Sequence, residues 1–129
     1  PGATIVHLRL GDALSLGSQT SKYVKPMSRY DALIGRNLTI VTQVNRTRAK
    51  NVPDHQRYLS MSYTYLRTFE RHVTQGGNVV RYRTCLPDED FVFMSHADDL
   101  VVGGGGFSRL VGAVNRRILS GRMKRQTLA

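Results

Sequence analysis

The sequence has no tryptophan, a single cysteine, four prolines and only six tyrosines and four phenylalanines among 129 residues. One thiol, Cys85, forbids an internal disulfide and any zinc site built from several cysteines, and it leaves the redox compartment open. Acids are scarce too, with 9 Asp and Glu against 19 Lys and Arg for a net charge of +10. Long apolar runs are missing: no stretch nears the roughly 18 residues of a membrane span, and the N-terminus lacks the charged-then-apolar layout of a signal peptide. There is no internal repeat, low-complexity tract or heptad array, so collagen, coiled-coil and solenoid architectures are excluded. What remains is globular, 40% hydrophobic and 22% charged, and of a length that suits one domain.

Fifteen of the nineteen basic residues are arginines. A guanidinium offers a planar fork of donors that matches phosphate oxygens, so a phosphate-bearing ligand is expected. Arg116, Arg117, Arg122, Lys124 and Arg125 make a basic C-terminal stretch, while five of the nine acids fall between Asp88 and Asp99. A basic tail often meets nucleic acid. Here no nucleic-acid motif and no aromatic stacking platform accompanies it, so nucleic acid is the less favoured partner and a solvated helix end the plainer reading.

Hydrophobic patterning alternates between short β-branched runs and stretches with helical spacing. Strands are expected over 3–8, 38–44, 78–83 and 100–102. Helices are expected from Pro26 and Ser28 to Ile34, from about His55 to Thr74 with Gly76-Gly77 as the stop, over Asp88 to His96, and over Phe107 to Leu119. Leu59, Tyr63, Leu66, Phe69 and Val73 form the predicted inner face of the long helix, and Leu110, Val111, Val114 and Ile118 that of the last. The order β-α-β-α-β-α-β-α implies an α/β fold, a Rossmann-like parallel sheet of about four strands with helices on both faces. It occupies residues 1–119, with 120–129 as a basic tail.

Ligands of such sheets bind beyond the carboxyl ends of the strands. Two loops there carry chemistry. Gly103 to Gly106, ahead of the last helix, let a backbone approach an anion at a helix N-terminus, although glycine runs also serve merely to turn a chain. No Lys-Ser/Thr follows, so this is no Walker loop, and Ser108 in place of a third glycine breaks the dinucleotide fingerprint. His7 and Arg9, two apart at the end of the first strand, point to one side, so an imidazole and a guanidinium can meet one ligand; an ion pair of Arg9 with Asp12 is the simpler alternative.

His7-Leu8-Arg9-Leu10-Gly11-Asp12, together with the stretch from Ala97 through Asp98, Gly105, Gly106 and Phe107 to Ser108, resembles the sugar-nucleotide half of the GDP-fucose-dependent fucosyltransferases. The His-Leu-Arg form is most like the protein O-fucosyltransferase branch. The resemblance follows the order of elements through essentially the whole chain, and its specific motifs amount to about twenty residues. It implies the C-terminal half of a two-domain GT-B glycosyltransferase, with an acceptor-binding domain normally preceding it, and a secretory-pathway lumen for a eukaryotic source. By the same resemblance Arg9 binds the diphosphate as the catalytic residue. His7 and Gly11 line the nucleotide pocket, Gly105, Gly106, Phe107 and Ser108 supply the loop around the donor, and Asp90, eight residues before Asp98, binds guanine. A first-turn helix acid is an equal reading of Asp90. Two hydroxyls of the family's Ser-Ser-Phe loop are glycines here, and Leu10 stands where many relatives carry a second arginine.

The implied reaction is fucosyl transfer from a GDP-sugar to an unknown protein or glycan acceptor, without a metal or other cofactor, since Arg9 and backbone N–H groups neutralise the leaving diphosphate. Asp88-Glu89-Asp90 also reads as an Asp-x-Asp metal motif, a lesser alternative to an acidic helix start. Cys85 has no nearby histidine to activate it. His55, His72 and His96 lack metal-ligand spacing. Asn37-Leu38-Thr39 and Asn45-Arg46-Thr47 fit the glycosylation tripeptide. A non-catalytic nucleotide or phosphate binder and a basic nucleic-acid module stand as alternative functions.

Overall fold

The computed structural model describes residues 3–10, 25–43, 52–103 and 105–128. Gly11, Asp12, Gly104, the loop around Gly17 and Ser21, and the loop through Asn45 and Thr47 lie outside the described residues. Four strands, β1 (Thr4–His7), β2 (Leu38–Val41), β3 (Val80–Arg83) and β4 (Leu100–Val102), form one sheet in the order β3-β2-β1-β4, and every pairing is parallel. A 3₁₀ helix (Met27–Leu33) lies between β1 and β2. Helix α1 (Val52–Val73) connects β2 to β3, α2 (Pro87–Ser95) connects β3 to β4, and α3 (Gly105–Leu128) follows β4. This is the α/β, Rossmann-like arrangement that the alternation of elements requires.

Strand alternation sorts the core onto two faces. Val6, Leu8, Leu38 and Ile40 pack on Tyr30 and Leu33 of the 3₁₀ helix and on Leu66, Phe69 and Val73 of α1. Ile5 and Val41 point the other way, toward Met94 of α2 and Val111 of α3. The connections therefore change face between β3 and β4, and the chain reverses direction along the sheet between β1 and β4. That reversal opens a crevice beyond the ends of these two strands.

Several elements differ from expectation. The short helix expected before β2 is present with Pro26 at its N-cap, but its turns are 3₁₀ rather than α. On α1, Tyr63 is exposed and Ser62 is fully buried. The inner seam runs 59, 62, 66, 69, 73 in steps of three and four, and a serine holds the slot that hydropathy alone gives to a tyrosine. The helix ends at Val73, and Gly76 and Gly77 then adopt φ of 69° and 80°, the left-handed backbone that glycine tolerates best. On α3, Leu110 is exposed while Ser108, Val111 and Asn115 are buried. The expected tail from residue 120 is instead the last two turns of α3. Good helix formers follow Gly121, and Arg122 is tied to Asp98 at 2.9 Å and to the His96 carbonyl at 3.2 Å.

Candidate functional site

The end of β1 is held from two sides. Leu8 N–H donates to the Val41 carbonyl at 3.1 Å, and the Thr42 hydroxyl donates to the Leu8 carbonyl at 2.7 Å, so pairing of the first two chains continues one residue past the strands. On the other side Gly103 lies against β1. A Cβ built on it would sit 2.6 Å from the His7 carbonyl oxygen and 3.5 Å from the Leu8 Cα. The first glycine of the run is thus a packing glycine that lets β4 leave the sheet close to β1. Gly105 and Gly106 belong to the first turn of α3, where N–H groups have no partner within the helix.

Between these ends the walls enclose a cleft of about 180 Å³, lined by His7, Arg9, Thr42, Gln43, Asp90 and Phe107 among others. Four of the expected site residues, His7, Arg9, Asp90 and Phe107, therefore meet at one place. The His7 ring packs at 5.5 Å from the Phe107 ring, and its Nδ1 lies 2.6 Å from Ser108 Oγ. Ser108 is fully buried, so its hydroxyl orients His7 rather than facing the cleft. Burial foremost, then the nearby Arg9 charge, pulls the His7 pKa from 6.5 down to about 4 against the opposing pull of Asp90. At neutral pH the imidazole is uncharged and offers a single ring N–H or a single lone pair beyond its bond to Ser108.

Asp90 is 3% exposed at the start of α2. Its Oδ1 accepts from Arg83 Nε at 3.1 Å, and its Oδ2 accepts from the Cys85 N–H at 3.3 Å and from Gln43 Nε2 at 3.4 Å. Three of about four acceptor positions on the carboxylate are spent on the protein. Arg83 also lies over the Phe93 ring, 4.1 Å from its centroid. Asp90 thereby clamps the chain after β3 to α2 and to the end of β2. Asp88, two residues earlier on the same helix, is exposed. Two residues are 200° of helix turn, so Asp88 and Asp90 do not form a chelating pair.

Gly11 lies outside the described residues. Thr42 and Gln43, which line the cleft, and Arg83, which holds Asp90 from behind it, are residues that sequence reasoning missed. For Thr42 and Gln43 the available signal was position, immediately after a strand whose carboxyl end must border the crevice. Nothing in sequence marked Arg83, whose partner became visible only when β3 met α2. No family model, curated protein or solved structure matches the chain.

Proposed function

We propose that the cleft binds the diphosphate of a nucleotide sugar, and that the chain is the donor-binding half of a glycosyltransferase that takes fucose from GDP-fucose. The observation that carries the reading is the convergence of Arg9, neutral His7 and the Phe107 turn of α3 on one crevice at the point where the sheet reverses. Parallel sheets bind phosphates there because helix N-termini and strand ends supply unpaired N–H groups. The His-Leu-Arg and Gly-Gly-Phe-Ser motifs support the choice of sugar and base.

In the reaction the bond between the anomeric carbon and the β-phosphate oxygen breaks, the electron pair leaves with GDP, and the acceptor oxygen bonds to the sugar carbon as it loses its proton. Negative charge grows on the diphosphate. Arg9 is permanently charged and meets it with paired N–H donors, and the first turn of α3 adds its partial positive charge. His7 stays uncharged because of its burial, so it acts as a hydrogen-bonding wall and leaves the counter-charge to Arg9.

Nucleotide or phosphate binding without transfer is a second reading. It is favoured by Asp90, whose oxygens already serve three protein donors and leave about one acceptor position for a guanine edge that presents two donors. Thermal unfolding with GDP, GDP-fucose and inorganic pyrophosphate separates guanine-nucleotide binding from binding of phosphate alone, and sugar transfer assayed with an acceptor domain supplied separates a donor domain from a non-catalytic binder. The donor-domain reading expects GDP and GDP-fucose to raise the Tm and Arg9→Ala to abolish the rise. An equal rise in the variant removes Arg9 from the site, and a rise with pyrophosphate as large as that with GDP supports the phosphate reading.

A further inference from the structure

We propose that Gln43 reads the ribose, its side-chain carbonyl accepting a hydroxyl of the nucleotide whose diphosphate lies on Arg9. The inference rests on the nucleotide reading of the cleft. Its first support is orientation. The Gln43 amide nitrogen donates to the Cys85 carbonyl and reaches Asp90 Oδ2 at 3.4 Å. Both partners are acceptors only, so the amide has one satisfactory orientation and Oε1 must face away from them. Gln43 lines the cleft, and with its nitrogen turned to Cys85 and Asp90 the carbonyl is the end of the amide left for a ligand.

The second support is register. His7 pairs with Val41, and the bonds of Leu8 and Thr42 carry the pairing one step further. Arg9 and Gln43 are each two residues past the His7–Val41 pair, so the same register continued beyond the strand ends would set them level with one another. In a nucleoside diphosphate the ribose hydroxyls lie about one sugar ring away from the α-phosphate. A diphosphate on Arg9 therefore sets the ribose against the end of β2. The third support is charge: an amide carbonyl accepts an O–H bond without repelling the adjacent diphosphate, as a carboxylate at this position would. The contacts of Gln43 with Cys85 and Asp90 hold it ready, so no ordering of the side chain is needed on binding.

Calorimetric titration of the chain with GDP, 2′-deoxy-GDP and 3′-deoxy-GDP at fixed salt tests the assignment. GDP is expected to bind about three- to tenfold more tightly than one of the deoxy analogues, the worth of one net hydrogen bond. Gln43→Ala should erase that preference, so that GDP and the disfavoured analogue bind the variant equally; Gln43→Met repeats the test with the side-chain length kept. Equal binding of all three by the unsubstituted chain overturns the ribose assignment and leaves the nucleotide reading standing. A preference that survives both substitutions overturns it too. No binding of GDP at all overturns both readings.

Discussion

His7 and Gly103 show how single positions constrain the site. His7 is 7% exposed, bonded to Ser108 and packed on Phe107, and its pKa falls from 6.5 to about 4. Between those values the unfolded chain takes up a proton that the folded chain refuses. The neutral ring therefore contributes its full stability above pH 6.5, and that contribution is lost as the pH falls through 4, by about 3 kcal/mol in all. Urea unfolding of the chain and of His7→Gln between pH 7 and pH 4 should show the steeper loss in the unsubstituted chain; parallel curves would mean that His7 titrates normally. Gly103 acts through space. Because its Cβ position collides with the backbone oxygen of His7, Gly103→Ala has no flexible side chain to push aside, and β4 must shift away from β1. A loss of about 1–3 kcal/mol is expected in chemical denaturation, with weaker nucleotide binding because His7 and Arg9 move with the strand. An alanine variant as stable as the parent would contradict this packing.

At the scale of elements, α3 is a helix whose inner face does polar work. Its buried positions include Ser108, which orients His7, and Asn115, whose amide nitrogen donates to the carbonyls of Ala97 at 2.7 Å, Ser95 at 3.1 Å and Met94 at 3.4 Å. The Ser95 carbonyl ends α2 and the Ala97 carbonyl lies two residues past it, while the Met94 carbonyl also accepts from the Ala97 N–H at 3.1 Å. Asn115 is thus the C-terminal cap of a neighbouring helix, delivered from 18 residues further along the chain. Asn115→Ala should cost about 1–3 kcal/mol, and Asn115→Asp, of the same shape but without donors, should cost more because a carboxylate would face carbonyl oxygens; urea midpoints at pH 7 measure both, and an aspartate as well tolerated as alanine would argue against the cap. The same helix shows why its inner face was misread from sequence. Hydropathy favours Leu110, yet Ser108 and Asn115 lie inside because each has a partner on another element. Ser62 of α1 takes its slot by the spacing of the seam, where Tyr63 looked the better candidate.

At the scale of the whole molecule, the parallel order β3-β2-β1-β4 puts the reversal of the chain beside the expected motif at the end of β1. A ligand bridging Arg9, two residues past β1, and the start of α3 would be bound only by the folded chain. At a hundredfold excess over its Kd it therefore adds about 2.7 kcal/mol to global stability, the amount that Arg9→Ala is expected to remove. The excess of arginine draws anions toward every face, so this dependence on one residue separates the cleft from general charge attraction. The alternation of strands and helices, and with it the fold class, is legible in the hydropathy of the chain, because strand and helix periods differ and β-branched runs mark the sheet. The sequence also marked His7, Arg9 and Phe107 as neighbours of a crevice, since strand ends and a glycine-rich helix start are local features. It is packing between elements that brings Arg83 to Asp90, Asn115 to the end of α2, Gly103 onto His7 and the Gln43 amide nitrogen to Cys85 and Asp90. Each of these depends on groups brought together from distant elements, and hydropathy and spacing within one segment carry no information about the partner on another.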